Sequence, residues 1–173
     1  VFLYPKKNED GTIETIVVDK DTEGNDVTSN GFYLTDEQLN WSNKKPYVIY
    51  GYAAVPENKI LNITAGARIH FHDNSGVLVT DKASIKAIGD YSETKFLENQ
   101  IVFEGDKLQS LYSDAPGQWN GIWLKPESVN NVFEHVTIKN AKIGIKNEAK
   151  NTSALTLKNV QLYNHLNFGI YAI

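Results

Sequence analysis

The chain has 173 residues, 41% of them hydrophobic, a net charge of −4 and no cysteine. That suffices for one buried core with an appendage, and it excludes a disulfide scaffold or a thiolate zinc site. Arg68 is the only arginine among 17 basic residues, which argues against arginine-led recognition of nucleic acid, and no apolar run approaches the roughly 18 residues of a membrane span.

Residues 1–46 hold nine acids against five lysines and so carry the whole net charge. Two acidic turns, Asn8-Glu9-Asp10-Gly11 and Asp21 to Asp26, flank a strand-like run from Thr12 to Val18, so an acidic hairpin is expected here. Its acids lack the spacing of an EF-hand, and a solvated excursion is the simpler reading. Thr35-Asp36-Glu37-Gln38-Leu39 predicts one short helical turn capped by Thr35.

From residue 47 to 173 the chain repeats. Gly121-Ile122-Trp123, Gly144-Ile145-Lys146 and Gly169-Ile170-Tyr171 share one signature at intervals of 23 and 25 residues, and Gly51 and Gly76 stand on the same ladder. His135 to Asn140 recurs 24 residues later as Asn159 to Asn164. The units hold short Val-, Ile-, Leu- and Phe-rich runs punctuated by Asn and Gly, which is strand chemistry. The reading is an all-β parallel β-helix, a solenoid of about 24 residues per coil, with the repeated glycines at turns closed to β-branched residues. Val136 and Ile138 are expected to face inward; Phe133 joins them only if the strand bends near Glu134. Asn140 and Asn164 fall at equivalent turns, where asparagine tolerates left-handed angles. Residues 104–120 break the rhythm and are read as a projecting loop. The last strand, Phe168 to Ile173, is not a polar cap, so a fragment of a longer chain, or an end covered by a partner, is expected.

Candidate chemistry is sparse. Most carboxylates near coil spacing lie in turns or in the loop and none forms a strand-borne pair suited to glycoside hydrolysis, so no catalytic residue is assigned. Arg68, His70 and His72 share a strand face and predict a mildly basic strip with no acid cluster on it. His70, His72 and Asp73 offer two metal ligands and a neighbour but no third ligand in register, so neither metal nor cofactor is assigned. Asn40-Trp41-Ser42, Asn62-Ile63-Thr64 and Asn151-Thr152-Ser153 match the glycosylation triplet, a pattern common by chance. The distinctive surface is the loop: Tyr112, Trp119 and Trp123, with Leu108 and Leu111, accompany Asp106 and Asp114. Such aromatics serve sugar stacking and protein hot spots alike, and these five site residues are expected to form or brace a partner or glycan contact. The competing reading is that Trp119 and Trp123 pin the loop to the flank.

Several phrases together resemble a known group. Lys45-Pro46-Tyr47-Val48-Ile49-Tyr50-Gly51, Ile63-Thr64-Ala65-Gly66 and His72-Asp73-Asn74-Ser75-Gly76 are three of them. Pro116-Gly117-Gln118-Trp119-Asn120-Gly121-Ile122-Trp123, the most specific, is followed by His135 to Asn140. From about Phe32 onward the chain looks like Bacteroidota outer-membrane surface lipoproteins that carry a right-handed parallel β-helix after an immunoglobulin-like region; glycine is commoner in that group at the Asn120 position. The resemblance implies a lipid anchor upstream of Val1, a cell-surface location, outer-membrane protein partners and no assigned catalytic residue. The expected function is a non-catalytic structural or interaction module. Its rival is a carbohydrate-active β-helix (lyase, hydrolase or glycan binder) with its site outside this segment or at its edge.

Overall fold

The computed structural model describes residues 1–151 and 154–173, so Thr152 and Ser153 of the third glycosylation triplet lie outside the described residues. In chain order the first strands are β1 (Phe2–Leu3), β2 (Thr15–Lys20), β3 (Asp26–Tyr33), β4 (Asn40–Trp41), β5 (Tyr47–Ile49), β6 (Tyr52–Val55), β7 (Ile60–Thr64) and β8 (Arg68–Phe71). There follow β9 (Gly76–Val79), β10 (Ser84–Ile88), β11 (Ile101–Gly105), β12 (Gly121–Leu124), β13 (Asn131–Lys139), β14 (Ile143–Asn147), β15 (Leu155–Tyr163) and β16 (Phe168–Ala172). The only helical elements among the described residues are 3-10 turns at Asp36–Gln38 and Ser110–Tyr112. The first begins at Thr35, as expected, and its backbone N–H donates to the Gln38 side chain at 3.0 Å.

The expected right-handed β-helix of uniform coils is not what forms. The strands assemble into two unequal sheets, one of nine strands in the order β1-β5-β8-β11-β13-β10-β7-β4 with β15 also on β13, and one of seven in the order β16-β14-β12-β9-β6-β3-β2. Every ladder of the first is parallel; the second is mixed, because β2 and β3 pair antiparallel. The physical cause is the length of β13. Its first half pairs with β10 and its second half with β11, so rows that separate coils would keep apart become one sheet. Even spacing is also lost to insertions: residues 89–100 form an excursion that the repeat did not announce.

Local geometry explains both the joint and the repeat. Strand β13 turns at His135 (φ 50°) and β15 at Asn159 (φ 52°), and the ladder between them skips that pair. This is the bend that the Phe133 register required, and Phe133, Val136 and Ile138 are all fully buried. Asn140 and Asn164 take φ of 65° and 56°, the left-handed angles their turns need. Ile122, Ile145 and Ile170 stand directly above one another, so the repeated phrase is a stacking register. The glycines do not share one reason. Gly121 has φ +116°, whereas Gly144 is held small by crowding: a Cβ there would lie 2.5 Å from the Gly169 carbonyl and 2.8 Å from His165 Nε2.

The main core lies between the sheets, with Phe71, Phe103 and Phe133 in contact along its axis. A smaller cluster lies outside the second sheet, where the hairpin packs Ile16 and Val18 onto Tyr52, Ala54 and Leu78. Covered on both faces, β6 and β9 are buried at all four positions, which suits their unbroken apolar runs. Strand β3 then leaves the hairpin and pairs parallel with β6, tying the acidic N-terminal excursion into the sheet.

Candidate functional site

The five predicted site residues do not share a surface. Trp119 has no exposed area; its ring stacks on Phe71 at 4.1 Å and 6°, and its indole N–H donates to the Lys139 carbonyl at 2.8 Å. It cannot itself touch a partner, so of the roles expected for it only bracing or pinning the loop remains. Trp123 lies on β12 beneath the hairpin, with the Lys125 and Lys146 ammonium groups 4.5 and 4.1 Å from its ring and its N–H donating to Glu148. Lys125 also donates to the Val18 carbonyl at 2.9 Å, so this group clamps the hairpin to the sheet. Asp114 accepts from the Asn164 amide at 3.3 Å, and Asp106 pairs with His72.

What remains of the loop as a surface is Leu108, Leu111 and Tyr112, exposed by 66%, 81% and 37%. The loop beneath them is braced. The Gln118 amide donates to the Tyr112 and Ala115 carbonyls at 2.6 and 2.8 Å, and Asn140 donates to Ser113 at 2.9 Å. Buried Trp119 anchors its C-terminal end.

The basic strip is met by single acids from the neighbouring strand and the loop after it. The register of β8 against β11 sets His70 opposite Glu104, and just past the strands His72 Nδ1 meets Asp106 at 2.8 Å. His70 Nδ1 lies 3.3 Å from Glu104, a close electrostatic contact without hydrogen-bond direction, and Lys139 reaches the other carboxylate oxygen at 3.4 Å. Burial acts to raise the Glu104 pKa, but His70 and the Lys139 charge outweigh it and hold the carboxyl below its ordinary range. Arg68 is shifted down by burial, against the pull of Glu104 and Glu98, and its guanidinium donates to the Gln100 and Leu97 carbonyls at 2.6 and 2.7 Å. Arg68 thus staples the 89–100 excursion. These acid–base pairs are 34 residues apart in sequence because that excursion lengthens the connection, so a search at 24-residue spacing passes over them. Among the described residues no three His, Asp or Glu side chains converge as a metal site requires.

A second feature went unpredicted. The N-terminal arm, the base of the hairpin and the turns after β5 and β8 enclose an open cleft of about 840 Å³. Phe2 and Tyr4 line it, and 64% and 62% of each remains exposed because Leu3 between them takes the core position. Across the floor the Tyr50 ring lies 4.8 Å from the His72 ring, and Asp106 holds that imidazole from its other side. The sequence signal was the Phe2-Leu3-Tyr4 alternation, too short to read without its partner strand. Comparison with protein-family models, curated proteins and solved structures finds no match for this chain.

Proposed function

We propose that this chain is a non-catalytic interaction module of a cell-surface outer-membrane lipoprotein and that its loop docks on an outer-membrane protein. The loop spans 106–118 rather than 104–120, because Glu104 and Gly105 belong to β11 and Trp119 bridges to Ala141. The observation that carries the reading is the exposed Leu108, Leu111 and Tyr112 group on a loop already held by side-chain hydrogen bonds. A pre-ordered loop loses little entropy on binding, and clustered aromatic and aliphatic anchors on such a support are what hot spots consist of. The location rests on the resemblance to Bacteroidota lipoproteins, with the lipid anchor outside this segment.

The charges on and beside the strands support a non-catalytic role. Glu104 faces His70 and Lys139, Glu134 faces Lys158 at 3.2 Å, and Glu148 faces Lys146 and Lys125 at 3.5 and 3.6 Å. Each carboxylate meets a base, whereas glycoside hydrolysis sets two carboxylates across the bond that breaks.

The test is capture from solubilised Bacteroidota outer membranes by the wild-type chain and by a Leu111→Ala/Tyr112→Ala variant. Both side chains are exposed, so the variant should melt like wild type while losing its outer-membrane partner by about tenfold or more, the scale of a hot-spot truncation. Equal recovery of the same partner by the folded variant would remove this loop from the interaction.

A further inference from the structure

We propose that the N-terminal cleft is a binding site for a neutral sugar, distinct from the exposed Leu108, Leu111 and Tyr112 of the docking loop and independent of the function proposed for them. A sugar ring presents two chemistries at once, apolar C–H faces and a rim of hydroxyls, and the cleft supplies a partner for each. The apolar partners are the rings of Phe2 and Tyr4, on either side of buried Leu3 in the sequence. They are mostly exposed and make no ring contact within the described protein, so stacking on a ligand would cover area now facing water.

The polar partners are equally unspent. Among the described residues, the Asn30 amide, the Ser29 hydroxyl and the hydroxyls of Tyr4 and Tyr50 have no hydrogen-bond partner in the protein. The Asp73 carboxylate takes only the neighbouring Asn74 N–H, at 2.9 Å. A carboxylate and an amide on one cleft can each engage adjacent hydroxyls of a sugar. His72 is fixed between Asp106 and the Tyr50 ring, so the floor is already ordered.

Two observations select the ligand class. No lysine or arginine lines the cleft; Lys142 reaches only its edge, 3.3 Å from the Asn74 side chain, and Asp73 adds a negative charge. A uronate or phosphate would therefore meet repulsion without a paired cation. A peptide strand would need a run of free backbone donors, yet four of those along the floor are taken. The Tyr50 N–H bonds Leu3, that of Gly51 bonds Ser75 Oγ, that of His72 bonds Ile49 and that of Asn74 bonds Asp73. Side-chain amides and rings remain, which suits a neutral saccharide.

The experiment is a binding screen with neutral gluco-, manno- and xylo-oligosaccharides, an oligogalacturonate arm and an apolar peptide arm, followed by calorimetry with the best neutral oligosaccharide. The expected result is saturable binding in a neutral arm, weakened about tenfold or more by Phe2→Ala/Tyr4→Ala and also weakened by Asp73→Ala. The Leu111→Ala/Tyr112→Ala variant should keep full affinity for the sugar, which separates this site from the loop. Phe2 and Tyr4 are exposed, so an unchanged melting temperature for their double variant confirms that the fold survives. Absence of binding in every neutral arm, preference for oligogalacturonate or peptide, or neutral binding indifferent to the Phe2/Tyr4 variant would each overturn the assignment.

Discussion

Gly121→Val will leave the chain unable to hold its native fold under conditions where wild type is stable. Gly121 opens β12 at φ +116°, a backbone region that β-branched residues avoid, and an ideal Cβ there would overlap the Ile143 carbonyl oxygen of the neighbouring strand. Relief requires β12 and β14 to separate, which would also part Ile122 from Ile145 in the core. Backbone strain and lost packing together exceed about 4 kcal/mol, a large share of the roughly 5–15 kcal/mol that stabilises a typical domain. Circular dichroism through a thermal melt reads the result; a valine variant that melts within a few degrees of wild type would show that this strand does not approach its neighbour so closely. Gly144→Val should be milder, because its crowding at 2.5 Å comes without a left-handed φ.

How much of this was legible depends on how local the cause was. The Gly-Ile phrase, the bend before Val136 and the asparagine turns were readable because each is a property of a few adjacent residues. The sheet architecture was not, since whether two rows of strands merge depends on how far β13 runs past its bend. The acidic hairpin was anticipated, but its strand starts at Thr15 rather than Thr12 and its apolar face covers the second sheet, giving Ile16 and Val18 partners far away in sequence. Trp119 shows the limit most plainly. In a polar, turn-rich loop beside Pro116-Gly117 a tryptophan reads either as a surface contact or as a pin to the flank, and only the position of Phe71 puts it in the core. The His72–Asp106 pair and the N-terminal cleft likewise exist only through long-range register.

Trp119→Ala should cost about 3–5 kcal/mol, as removal of a fully buried tryptophan does. The loss has two parts: the stack on Phe71, and an indole N–H bond whose partner, the Lys139 carbonyl, would be left unsatisfied in the interior. Trp119→Phe keeps a ring against Phe71 and loses the donor, so it should cost less, on the order of 1–3 kcal/mol. Urea unfolding of the three proteins gives the ordering. A Trp119→Ala variant within about 1 kcal/mol of wild type would contradict the placement of this ring in the core. Because Trp119 anchors the loop that carries Leu111, the alanine variant should also lose partner capture while the phenylalanine variant retains most of it.

The central claim, that the 106–118 loop meets an outer-membrane protein at the cell surface, is tested most directly by photo-crosslinking in intact cells. A photoreactive amino acid placed at Leu111, 81% exposed, is compared with the same residue at Lys82, whose side chain is 66% exposed on a turn remote in sequence from the loop. The account predicts one defined adduct with an outer-membrane protein from position 111 and none from position 82. Absence of an adduct at 111, or the same adduct from both positions, would contradict it.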